Sequence, residues 1–106
     1  MSPKELPAGK PRRAPSHPGA LLSDIIDATD KSKSEIAGLL GISRQHLHEI
    51  IAERKPVSAD VAVRLGKLFG NGADLWVRMQ GAHDTWYAER ALAAQIKKIP
   101  TLKAVA

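Results

Sequence analysis

A chain of 106 residues makes at most one compact domain, and 43% hydrophobic residues are enough to fill its core. The absence of cysteine excludes disulfides and thiolate-held metals. No apolar run approaches the roughly 18 residues of a membrane span, and the first residues carry no apolar secretion segment, so a cytoplasmic protein without a membrane segment is expected. Aromatic residues are only 4% of the chain, which argues against a β-rich fold.

The formal charge of +5 is unevenly spread. Residues 1–17 carry Lys4, Lys10, Arg12 and Arg13 against Glu5, and residues 97–106 carry Lys97, Lys98 and Lys103. Each end is therefore +3, which leaves residues 18–96 at −1. Inside that middle, 31–67 holds seven Lys/Arg against four Asp/Glu. A basic segment flanked by acidic ones is more informative than the total.

Residues 1–17 read as a flexible basic arm, because Pro3, Pro7, Pro11 and Pro15 forbid a helix. Helix one opens at Pro18, a favoured first-turn residue, and carries Leu21, Leu22, Ile25 and Ile26 as its apolar stripe to about Ala28. Ser32-Lys33-Ser34-Glu35 is a capping-box pattern opening helix two, whose apolar positions are Ile36, Ala37, Leu39 and Leu40. Gly41 ends it, and Ser43 caps helix three, with Leu47, Ile50 and Ile51. Arg54-Lys55-Pro56 interrupts the chain. Ser58 caps helix four, with Val61, Ala62, Leu65, Leu68 and Phe69 inward, and Gly70-Asn71-Gly72 stops it. Helix five starts near Ala73 and is lined by Leu75, Trp76, Met79, Trp86 and Tyr87. It fades after Leu92, and 95–106 reads as a basic tail. The expectation is an all-α bundle of five helices over 18–94.

Two helices joined by Gly41-Ile42-Ser43 form a helix-turn-helix pattern, with the small Ala37 opposite the tight turn. On a helical wheel with Arg44 at zero, His48 falls near ~40°, Gln45 near ~100° and Glu49 near ~140°, while Ile50, Leu47 and Ile51 fall between ~240° and ~340°. His46 lies on the boundary near ~200°. The polar arc carries the groups that read base edges: Arg for guanine, Gln for adenine, Glu for the cytosine amino group, with His48 alongside. Lys33 and Ser43 at helix N-termini, and Arg54, Lys55 and Ser58 beyond helix three, suit backbone phosphates.

Lys33 to Ala52, with Ala37, Gly41, Leu47 and Ile50, resembles the Cro/phage-repressor, lambda-repressor-like helix-turn-helix. Five further stretches together resemble the HigA-type antitoxins. They are His17-Pro18-Gly19, Ser43-Arg44-Gln45, Arg54 to Asp60, Arg64-Leu65-Gly66, and Leu75-Trp76 with Gln80 and Trp86. This resemblance spans about 17–92. It implies a bacterial type II toxin–antitoxin component that neutralises a RelE/HigB-like ribonuclease toxin. It also implies a homodimeric repressor on a palindromic operator in double-stranded DNA. By that resemblance Arg44, Gln45 and Glu49 fall at base-contacting positions, and Lys33 and Ser43 at backbone-contacting ones. One departure stands out. Ala52-Glu53 replaces the Asn-Gly often found after helix three, so Glu53 falls where a left-handed residue is wanted, and the aim of Arg54 depends on how that turn is made.

No catalytic or cofactor motif is present, so an enzyme is not expected. His46 and His48 are two apart and point roughly 160° away from each other, whereas a chelating pair needs helical spacing of three or four. His17 and His83 have no partner nearby in sequence. Asp24, Asp27 and Asp30 read as a solvated acidic face, with a basic toxin as the alternative partner. Trp76, Met79, Trp86 and Tyr87 read as core on one edge of helix five and dimer surface on the other. Beside the antitoxin stand two alternatives: a stand-alone helix-turn-helix transcription regulator with no toxin partner, and an adaptor that has lost DNA binding.

Overall fold

The computed structural model describes residues 13–103, which are helical with no strand among them. In chain order the helices are α1 (Pro18–Ala28), α2 (Lys33–Leu40), α3 (Arg44–Ile51), α4 (Ala59–Phe69), α5 (Ala73–Ala91) and α6 (Ala93–Ile96). The first five match expectation. The sixth was not foreseen: Leu92, at φ −102° and ψ 12°, interrupts α5, and the good helix formers Ala93, Ala94 and Gln95 resume one turn. Residues 1–12 of the expected arm lie outside the described residues, as do 104–106 of the tail.

Most start signals act as their chemistry dictates. The Ser32 backbone N–H donates to Glu35 Oε1 (2.7 Å) and the Glu35 N–H donates to Ser32 Oγ (3.1 Å), a complete capping box. The Ser32 backbone N–H, and then its hydroxyl, stabilise the ionised Glu35 carboxyl and hold it below the usual carboxylate range. Ser43 and Ser58 accept from the His46 and Val61 N–H groups.

The core is one cluster: Leu22 and Ile26 of α1, Ile36, Ala37 and Leu40 of α2, Leu47 and Ile50 of α3, Val57, Val61, Ala62 and Leu65 around α4, and Trp76 of α5. Leu39 departs from the apolar pattern of α2 and is 58% exposed. It sits on the α2 face that no other described element covers. Three polar residues with no role assigned from the sequence tie the layers together. Arg64 donates from Nη1 to the Leu40 carbonyl (2.9 Å), supplying a cation and a donor to the C-terminus of α2. Gln80, buried on α5, accepts from the Val57 N–H through Oε1 (2.8 Å) and donates to Asp84. His17, expected to belong to the arm, is instead the cap of α1 and is buried.

His17 Nδ1 accepts from the Gly19 N–H (2.9 Å), and its ring also bonds to the Lys55 backbone. Gly19 is required there, because a β-carbon would collide with the Ile50 carbonyl at the end of α3. The fold brings the two histidines together that sequence left isolated: the rings of His17 and His83 meet edge-on, centroids 5.1 Å apart. Burial, and then the nearby His83, push the His17 pKa below its ordinary 6.5, against weaker pulls from Glu53 and Asp84. Between 6.5 and that lowered value the unfolded chain binds a proton that the folded chain refuses. The contribution of His17 to stability is therefore present above its unfolded value of 6.5 and is lost as pH falls through the lowered folded value. Protonation at Nδ1 also removes the cap acceptor. Denaturant midpoints should fall between pH 7.5 and 5.5 in the native chain, with a flatter slope in His17→Asn, which keeps a capping oxygen. Equal slopes in the two proteins would clear His17 of this role.

Candidate nucleic-acid interface

The tight turn is made as its residues require. Gly41 ends α2 in the left-handed region at φ 76°, and its N–H donates to the Ala37 carbonyl (2.9 Å). Ser43 then opens α3 after two residues. Leu47 and Ile50, both 0% exposed, seat α3 on the core, so its opposite face must point to solvent.

On that face Arg44, Gln45 and His48 are exposed, His46 and Glu49 half-buried. Arg44, Gln45 and His48 converge with Lys33, the first residue of α2, on one open cleft of about 360 Å³. Lys33, Arg44 and His48 form no hydrogen bond or ion pair with any described residue, so their polar ends are free. Ser43 and Ser58 are exposed helix caps, each with a hydroxyl proton still to give. Lys55 is exposed on the far side of α3, in a second cleft of about 240 Å³ that also touches His17 and His83.

Glu49 and Arg54 stand apart from this set, because they grip each other. Arg54 donates from Nε to Glu49 Oε1 (2.9 Å) and from Nη2 to Oε2 (3.4 Å), and Gln45 Nε2 donates to Oε2 (2.6 Å). The Arg54 guanidinium holds the Glu49 carboxyl below its ordinary range, and Glu49 raises Arg54 in turn. The base-reading position expected of Glu49 and the phosphate-contacting position expected of Arg54 are thus joined by an ion pair, with the Arg54 side chain still 58% exposed.

The turn after α3 explains the pairing. Glu53 takes the left-handed conformation at φ 64°, alone among the described non-glycine residues. Its N–H donates to the Ile50 carbonyl (2.9 Å) and that of Arg54 to the Glu49 carbonyl (2.8 Å), the Schellman pattern of a helix end. The sequence departure at Glu53 thus does not abolish the turn. It makes the turn at a steric cost and folds Arg54 back over Glu49. A left-handed non-glycine residue costs roughly 1–2 kcal/mol, and glycine loses about 0.5–1 kcal/mol in chain entropy. Glu53→Gly is accordingly expected to raise stability by about 0.5–1 kcal/mol, read as a higher denaturant midpoint. A lower midpoint would mean that the Glu53 carboxylate outweighs the strain.

The four large residues of α5 separate by depth. Trp76 is fully buried and donates from Nε1 to Asn71 Oδ1 (3.0 Å). Met79 and Trp86 are half-buried and Tyr87 is exposed. The Arg90 guanidinium lies 3.4 Å over the Trp86 ring, and Trp86 Nε1 is buried without a hydrogen-bond partner among the described residues. Beyond it Tyr87, Leu92, Ile96, Ile99 and Leu102 are exposed apolar side chains. Among the described residues no group of three or more His, Asp or Glu is placed to hold a metal ion, and no helix is long and apolar enough to cross a membrane.

Comparison with known proteins places this geometry. No protein-family profile matches the chain. Over 84 residues it is 31% identical to the Escherichia coli protein YbaQ, an uncharacterised helix-turn-helix-type transcriptional regulator, covering 78% of this chain and 74% of that one. A Pseudomonas aeruginosa protein solved in complex with its operator DNA is 33% identical, with a TM-score of 0.76 over 83% of this chain and 99% of the other. The Pseudomonas aeruginosa antitoxin HigA, solved with the higBA promoter, is 30% identical, with a TM-score of 0.73 over 87% and 99% of the two chains. Matched over 99% of the two solved proteins and 74% of YbaQ, the chain belongs to the HigA-type family of helix-turn-helix antitoxins and regulators.

Proposed function

We propose that the chain is a sequence-specific double-stranded DNA-binding antitoxin. As a homodimer it represses its own operon from a palindromic operator and neutralises a RelE/HigB-like ribonuclease toxin. The observation that carries the DNA part is the cleft where Arg44, Gln45 and His48 of α3 converge with Lys33 of α2. A major groove admits one helix; Arg44, Gln45 and His48 then meet base edges while Lys33 and the Ser43 cap meet phosphates. Lys55, Ser58 and the outer edge of Arg54 grip the strand beyond α3. The relatives solved on operator and promoter DNA support this reading.

One helix offers few base contacts, so two half-sites about one turn apart (~34 Å) are the physical route to specificity. The exposed apolar residues Tyr87, Leu92 and Ile96, next to Trp86, whose Nε1 has no hydrogen-bond partner among the described residues, support a dimer contact on the outer part of α5 and α6. Residues 18–94, with the His17 cap, form the DNA-binding domain in this reading, with 1–16 and 95–106 as basic flanks. The proposal places the protein in the cytoplasm beside its operator, with no metal, cofactor or membrane involved.

Footprinting on the promoter upstream of its own reading frame tests the reading; a protected palindrome is expected, and no protection refutes it. Lys33→Ala should weaken binding evenly across sequences and reduce the slope of log affinity against log salt by about 1. A loss confined to one sequence would make Lys33 a base reader. The second reading, a regulator without a toxin, is favoured by the likeness to YbaQ. Co-purification with the product of an adjacent reading frame separates the two.

A further inference from the structure

Glu49 lies one turn after Gln45, on the arc expected to enter the groove, yet its carboxylate faces its own chain. Oε2 accepts from Gln45 Nε2 at 2.6 Å, and the Arg54 fork closes on the same carboxylate at 2.9 and 3.4 Å. The Glu49 side chain is only 18% exposed, against 58% for Arg54. A carboxylate has acceptors alone, so it turns the NH₂ end of the Gln45 amide toward itself and repels the carbonyl. Chemistry thus settles which way the amide lies. One N–H is engaged; Oε1 and the second N–H remain, side by side, as one acceptor and one donor in a set order.

A free glutamine can flip its amide and offer either order to a base. A held one offers a single order. In the major groove adenine presents the N7 acceptor beside the N6 donor, which such a pair satisfies together. Guanine presents two acceptors, and the cytosine amino group and the thymine oxygen each satisfy only half.

We propose that Glu49 is a positioning residue, not a base reader: it locks the Gln45 amide in the order that selects adenine, and Arg54 braces it. This rests on the DNA-binding reading above. The left-handed turn at Glu53 sets up this brace, since it brings Arg54 back toward Glu49.

Two measurements decide it. Without DNA, the Gln45 side-chain amide is followed by NMR. One amide proton should exchange slowly and shift as Glu49 is protonated in acid, and Glu49→Ala should abolish both effects. An amide indifferent to acid and to the substitution overturns the lock. With DNA, single-base variants of the operator are titrated. Gln45→Ala and Glu49→Ala should each lose about tenfold discrimination at the same base pair, and the double variant should lose no more than either. Glu49→Gln, whose own carbonyl can accept from Gln45, should restore part of the discrimination. Overturning results are a Glu49→Ala effect at a base pair other than that of Gln45, or losses that multiply. If the native chain selects no operator, the DNA reading fails and the adenine assignment with it, while the amide spectrum still reports whether the lock exists.

Discussion

Replacing Arg44 with alanine is expected to weaken operator binding by about 1–3 kcal/mol, roughly 5- to 150-fold, and to relax the preference at one base pair. Arg44 opens α3, is exposed, and makes no hydrogen bond or ion pair with any described residue. Its planar fork of donors is therefore available to the O6 and N7 acceptors of guanine. A residue so placed contributes little to the fold, and the thermal midpoint of the variant should stay within what about 0.5 kcal/mol produces. Titration against a panel of single-base operator variants checks the assignment. Uniform weakening across the panel would move Arg44 to the phosphate set, and unchanged binding would remove α3 from the groove.

The largest effect on stability is expected from Trp76→Ala. Its ring is fully buried against α4 and its indole N–H is satisfied by Asn71, so truncation opens a cavity and removes that hydrogen bond. Such a change costs about 3–5 kcal/mol, a large part of the roughly 5–15 kcal/mol that holds a small domain together. A thermal midpoint lowered by more than about 10 °C is the expected result, since about 1 kcal/mol shifts the midpoint of a small domain by roughly 4–8 °C. Tyr87→Ala is the contrast: the ring is 52% exposed and loses only its ring contacts with His83 and Trp86, so monomer stability should fall by no more than about 1.5 kcal/mol. If the outer part of α5 holds the second copy, the same variant should dissociate at higher protein concentration than the native chain. A Trp76 variant as stable as the Tyr87 one would contradict the depth order of α5.

The helices themselves were legible because their signals are local. A serine three residues before the N–H it caps, a glycine where the chain turns left-handed, and an apolar stripe recurring every three or four residues depend on near neighbours. Ser32, Gly41, Ser43 and Ser58 all act where the pattern placed them. The exposed arc of α3 followed from the same periodicity, since burying Leu47 and Ile50 leaves Arg44, Gln45 and His48 outward. Leu39 shows the limit: its pattern is apolar, but whether it is covered depends on where a distant helix lies.

Partners were a different matter. His17 meets His83 and the Lys55 backbone, Gln80 meets Val57, and Arg64 meets the Leu40 carbonyl; no spacing announces such pairs, because they are made only once α1, α4 and α5 have docked. Gln80 did leave a trace, a polar residue one turn after the buried Trp76. Glu49 is the most instructive case. Its helical position was readable, its availability was not. The sequence by itself determined which residues share the outward face of α3, because helical geometry sets that. Tertiary structure decided what those residues are free to do: a left-handed Glu53 turns the chain back and brings Arg54 onto a carboxylate that the wheel alone had left open to DNA.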